Sequence, residues 1–198
     1  MIYECLQILK EQLSAHYTEL GMTDSLVLEN IALLGIGGDE GGKVEDKVVL
    51  TLIRIEEEVT LKNLPNYKIK NDKTEYRNSP VHLNLYIMIA ANCKSYDNSL
   101  SYISRSIEFF QGKTVFTAAN TVYNRTDATR QVLDEFKFVV GLYTPGFEEL
   151  NHIWGTLGGR QLPSALYKVQ LIRIEQDKKQ AEAGVITQIS GEFKQVRR

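Results

Sequence analysis

The sequence predicts an α+β fold: a mixed, largely antiparallel β-sheet of about five or six strands, flanked by about three helices, with long loops. Two periodicities carry this prediction. Apolar residues alternate with period two over 48–57, 81–89 and 133–143, as strands with distinct faces do. They recur at spacings of three and four over 2–20, 95–111 and 146–157, which makes one apolar face on a helix. The order of the segments supplies the third observation, because strands and helices do not alternate one for one.

Taken in chain order, Ile2, Cys5, Leu6, Leu9, Leu13, Tyr17 and Leu20 form the face of a first helix that Gly21 can stop. Ser25–Leu34 is apolar and branched enough for a strand, and Gly35–Gly42 is a glycine-rich loop. Val48–Glu57 is a strand whose first half is apolar on both faces, as expected if it is covered on two sides. A β-hairpin joining 25–34 to 48–57 is the simplest local topology. Residues 62–80, with Pro65, Pro80 and four asparagines, read as a long polar connection. Val81–Ile89 places Val81, Leu83, Leu85, Ile87 and Ile89 on one face of a strand. Ser95–Gln111 is a helix with Tyr96, Leu100, Ile103, Ile107 and Phe110 on its face, capped by Ser95 or Asp97 and closed near Gly112.

Residues 133–143 read as a strand through Phe136, Phe138, Val140 and Leu142, with a helix over 127–141 as the alternative. Pro145 opens a helix whose face is Phe147, Leu150, Ile153, Trp154 and Leu157, and Gly158-Gly159 ends it. Leu166–Ile174 is the last strand. Residues 176–198 form a polar extension in which Val185, Ile186 and Ile189 offer one more short element. The expected organisation is one domain over 1–175 followed by that extension.

Composition narrows the function classes. The chain has 198 residues, 43% of them hydrophobic and 24% charged, with 14 glycines and 4 prolines. That suffices for one core without disulfides or metal and excludes disordered, collagenous and coiled-coil chains. Twenty-three basic residues against 25 acidic give a net charge of −2, without the excess of positive charge that nucleic acid attracts. No export signal and no membrane span are expected. Cys5 and Cys93 are too far apart in sequence for a metal-binding or redox pair, and read as reduced thiols of a cytoplasmic protein. Asn124-Arg125-Thr126 is a glycosylation sequon without an export signal to give it meaning.

The chemical survey is empty. Gly37–Lys43 fits the GxxxxGK spacing of a phosphate-binding loop. Yet Val44 stands where Ser or Thr must bind magnesium, Asp39 and Glu40 would repel phosphates, and a strand follows where a helix is needed. Glu40 also occupies the third glycine position of a dinucleotide fingerprint begun by Gly35 and Gly37. His16, His82 and His152 have no metal-ligand spacing among themselves and read as structural or surface histidines. Glu56, Glu57 and Glu58 alternate in direction at a strand end and read as a solvated terminus. Lys68, Lys70, Lys73 and Arg77 with Tyr67 and Tyr76 suit a protein contact better than nucleic acid, because Asp72 and Glu75 dilute the charge. Trp154 reads as a core anchor. No residue is assigned to catalysis, to a cofactor or to a metal.

Several stretches in order carry a resemblance. They are Leu61-Lys62-Asn63-Leu64-Pro65, Pro80-Val81-His82-Leu83-Asn84-Leu85-Tyr86, and Ile107-Glu108-Phe109-Phe110-Gln111. Further on come Asn151-His152-Ile153-Trp154-Gly155 and Pro163-Ser164-Ala165-Leu166-Tyr167. Across residues 1–175 the chain resembles the tail-terminator (cap) family of phage-tail-like contractile injection systems. The resemblance implies a mixed α/β fold, a homo-oligomeric ring of six, and a place at the membrane-distal end of a tube and sheath. It implies tube and sheath proteins as partners, assembly in the cytoplasm and no enzymatic activity. A different structural subunit of such a particle, adaptor or baseplate, is the alternative. A small enzyme depending on Lys43 or Cys93 is the other class.

Overall fold

A computed structural model of the chain describes residues 1–35, 39–61, 67–70, 73–76, 78–123, 136–174 and 181–184. Six strands form the main sheet: β1 (Leu26–Leu28), β2 (Lys47–Glu57), β5 (Val81–Asn92), β6 (Val115–Thr117), β7 (Lys137–Tyr143) and β8 (Ser164–Ile174). Their spatial order is β1-β2-β5-β8-β7-β6. A second sheet joins β3 (Tyr67–Lys70), β4 (Lys73–Tyr76) and β9 (Ala181–Gly184) in that order. Three long helices pack on the main sheet: α1 (Ile2–Glu19), α3 (Tyr96–Gly112) and α4 (Phe147–Thr156). A single helical turn, α2, spans Asp39–Gly42. The predicted α+β class and the largely antiparallel sheet are what the chain forms.

Alternation along the strands divides the core into two layers. Val48, Leu50, Leu85, Ile87, Ile89, Val140 and Val169 point to one face, where α1 and α3 cover them with Leu9, Leu13, Tyr17 and Phe110. Val49, Met88, Ala90 and Leu166 point to the other, under Trp154 of α4 and beside Ile31 and Val44. The first helix ends as its glycine predicts. Gly21 has φ +71°, its N–H reaches Thr18 O and that of Met22 reaches Tyr17 O at 2.9 Å, which closes a Schellman cap. A hydroxyl relay ties α1 to α3: Tyr17 Oη lies 2.6 Å from Ser106 Oγ, which donates to Tyr102 O at 2.7 Å.

Several expectations are corrected. The strand predicted over 25–34 is only three residues long, and a 3-10 turn follows at Ile31–Leu33. It does not form a hairpin with 48–57: β1 lies parallel to β2, Leu26 opposite Val48 and Leu28 opposite Leu50. Parallel neighbours need a crossover, and the connection between β1 and β2 buries Ile31 and Val44 on the α4 face. The connection over 62–80 contains the hairpin β3–β4. Phe147, expected on the inner face of α4, is the first residue of that helix and is 94% exposed. The strand expected over 133–143 is found at 137–143. Phe136, just before it, is buried in the core without being part of the strand; residues 133–135, the sequon at Asn124 and the residues Val185, Ile186 and Ile189 lie outside the described residues. Strand β6, too short to show alternation, was not anticipated.

Candidate assembly surfaces

The sites that sequence spacing raised are dispersed. Lys43 follows the α2 turn and leads through a bend into β2, so no helix N-terminus faces it. It borders a shallow cavity of about 360 Å³ with Gln7, Lys10 and Glu29. The Cys93 N–H donates to Ser99 Oγ at 3.3 Å, and burial holds its thiol above the ordinary value, the reverse of an activated nucleophile. Cys5 is buried and its thiol is raised further for the same reason. His16 packs its ring 5.3 Å from Phe109, while His152 is exposed with Nε2 3.9 Å from Glu148. Among the described residues, no group of three His, Cys, Asp or Glu side chains could hold a metal ion. No described helix is long and apolar enough to cross a membrane.

What the fold does bring together are two neighbouring surfaces on the main sheet, which meet where the Tyr86 and Tyr143 rings lie edge to face at 5.1 Å. Near Glu57 and the start of β5, the face that α4 leaves uncovered is polar and ordered. Tyr86 Oη donates to Glu56 Oε2 at 2.9 Å, and Arg54 reaches Glu56 Oε1 at 3.3 Å. Lys168 Nζ stands 3.8 Å from Glu56 Oε2 and 5.6 Å from the Tyr86 ring centroid. Glu58 accepts from Asn84 Nδ2 at 2.9 Å and from Thr60, and these hydrogen bonds hold its carboxyl down at about 2. The glutamates expected to be a solvated terminus are therefore organised: Glu56 and Glu58 share the face of Tyr86 and Asn84. A β-bulge between Leu52 and Arg54 makes this possible, since one extra residue turns the polar positions to that face. Sequence alternation alone does not show a bulge.

Beside it, α3 and the outer edge of β7 bound an apolar groove of about 630 Å³. Tyr96, Leu100 and Ile107 of α3 line it together with Leu142, Tyr143, Pro145, Leu150 and Leu162. All four of Tyr96, Leu100, Ile107 and Leu142 are exposed. Their clustering is unlike the scattered apolar residues of an ordinary surface. The groove also contains an unfinished strand edge. β6 pairs with β7 only from Lys137 to Val139, and the N–H of Val140 donates to Thr114 O at 2.8 Å. Leu142, two residues on, points its N–H and C=O to the same side, where no described strand follows. The spacing 96, 100, 107 was read as the inner helix face. Ile103 and Phe110 are the positions that turn to the core.

This architecture has a family. The model of the Pvc16 N-terminal domain matches residues 4–188. The chain belongs to the Pvc16 N-terminal domain family. Two solved structures share the fold of this Pvc16-type domain. One is the sheath/tube terminator, in the extended state, of the extracellular contractile injection system PVC. It matches with a TM-score of 0.56 and 14% identity over 96% of this chain and 63% of its own. The other is the tube-terminating cap of the anti-feeding prophage, with a TM-score of 0.55 and 13% identity over 92% of this chain and 58% of its own. The chain thus spans about three fifths of the length of each. No curated protein matches by sequence.

Proposed function

We propose that this Pvc16-type chain is a structural subunit that forms a ring, of six copies, at the membrane-distal end of a contractile injection particle and ends polymerisation of its tube and sheath. The observation that carries the reading is the family match over residues 4–188, reinforced by the fold shared with two terminators. The two surfaces support it. A terminator must present one face to the last ring and keep the opposite face from propagating. Here the polar, hydrogen-bonded sheet face and the apolar groove differ in chemistry. A head-to-tail contact between unlike surfaces generates a ring when its rotation closes.

The role is not enzymatic: the protein acts by shape and pairing, on tube and sheath proteins as its partners, and assembles in the cytoplasm. Imaging particles that carry a tagged copy tests this. The tag is expected at one end only, distal to the baseplate, in six-fold averages. Tag density along the sheath or at the baseplate would overturn the terminator reading in favour of another structural subunit. Purified protein is expected to show no Lys43-dependent ATP hydrolysis, measured as released phosphate.

A further inference from the structure

The apolar groove beside β7 has an opening for a strand, and β3 has an edge to offer. β3 is the outer member of its sheet, so one of its edges is unpaired among the described strands. Tyr67 at its start is 48% exposed, and Tyr76 directly across the hairpin is 40% exposed. Two exposed tyrosines at paired positions suit an apolar groove whose walls are Tyr96, Leu100, Ile107 and Leu142.

Charge favours the same match. No lining residue of the groove is charged, and the charged residues next to lining residues in the chain are Asp97, Glu108 and Glu149 against Arg160, an acidic excess. Residues 62–80, which contain the hairpin, hold five basic residues against two acidic. Opposite potentials across a contact steer encounter and fix register.

Geometry sets the two apart within one molecule. The hairpin leaves the sheet where Glu57 lies opposite Leu83. Leu142 stands level with Ile87 through Tyr167, about 14 Å further along at ~3.4 Å per residue, and two strands across the sheet from β5. We therefore infer that the groove receives the β3–β4 hairpin of a second copy, with β3 adding as a strand to the open edge of β7 at Leu142. Each copy then gives one hairpin and receives another, so the contact is heterologous and repeats around a ring. The inference rests on the ring reading above and names the surfaces that make the ring.

Cysteine cross-linking tests it in full-length protein carrying Cys93→Ser. Tyr67→Cys and Leu142→Cys variants, mixed and oxidised, are expected to give covalent dimers, since bridged Cα atoms must approach to ~7 Å or less. Both substitutions in one chain are expected to give a ladder of multimers, and either alone only monomers. Monomers throughout would overturn the inference. So would dimers of the Leu142→Cys variant with itself, which would show a two-fold contact instead.

A charge exchange gives a second readout that does not depend on thiol geometry. Glu148→Lys with Glu149→Lys is expected to weaken self-association about tenfold or more in sedimentation at low salt. Mixing with a Lys68→Glu, Lys70→Glu variant is expected to restore it. Absence of restoration would overturn the charge match. If the tagged protein still sits at the distal end while these tests fail, the terminator reading stands and only this contact falls.

Discussion

Trp154 is the one tryptophan of the chain, and its ring is buried against Val49, Met88, Ala90 and Leu166. Helical spacing predicted it as an anchor, while the same spacing failed for Phe147, the first residue of the helix. Periodicity reports which positions share a face, not how far the sheet beneath them extends. Trp154→Ala is expected to cost about 3–5 kcal/mol, the range for large-to-small core substitutions, and to lower the urea midpoint of the monomer. Normal stability with loss of self-association would mark Trp154 as an assembly residue instead. Glu58 makes a pH prediction. Its folded carboxyl sits at about 2, below its ordinary 4.5, so in the acid range the unfolded chain binds the extra proton. The contribution is complete above about pH 4.5 and is lost as pH falls towards 2. Denaturant midpoints of the Glu58→Gln variant are expected to fall less steeply across that window than those of the parent chain.

Among the elements, the crossover between β1 and β2 hangs on one side chain. Thr51 is buried in β2; its hydroxyl donates to Glu29 O at 2.6 Å and accepts from the Ile31 N–H at 3.1 Å. Those two backbone groups flank the point where the chain leaves β1 for the 3-10 turn. Thr51→Val keeps the shape and leaves both without this partner, at an expected cost of about 1–3 kcal/mol. Faster exchange of the Ile31 amide than of the β2 amides would show that the crossover loosens first. The long strands and helices were legible because they hold a period for nine residues or more. The parallel pairing was not, since β1 has three residues and a non-local partner. The β3–β4 hairpin escaped because its sequence is polar and lacks the Asn-Gly or Asp-Gly pair that announces a tight turn. The groove was legible only in part: its α3 residues follow a visible stripe, but the short β6 that exposes the edge of β7 leaves no periodic trace.

At the scale of the molecule, the terminator reading proposed above puts function in the placement of surfaces rather than in a catalytic motif. A six-stranded sheet has two edges, and a second sheet adds two more. Open edges are sites of uncontrolled association unless they are short, covered or paired. Here β1 and β6 are three residues each, so among the described strands the longer opportunities are the uncovered end of β7 and the outer edges of β3 and β9, four residues each. If the first two are consumed between neighbours, the contact that would extend the array is used up when the ring closes. Capping then follows from closure: the ring docks on the last tube and sheath layer, and its far side offers no repeat of the surface it has just covered. Length becomes the observable. With the protein present, particles are expected to have a narrow length distribution. In its absence, tubes and sheaths that polymerise past the normal end should give a broad distribution with a long tail, scored by negative-stain imaging of several hundred particles. Reintroducing the parent chain should restore the narrow peak, and the Glu148→Lys, Glu149→Lys variant should restore it only in part, because a weakened ring competes poorly with the next incoming layer. An unchanged length distribution without the protein would remove length control from its role.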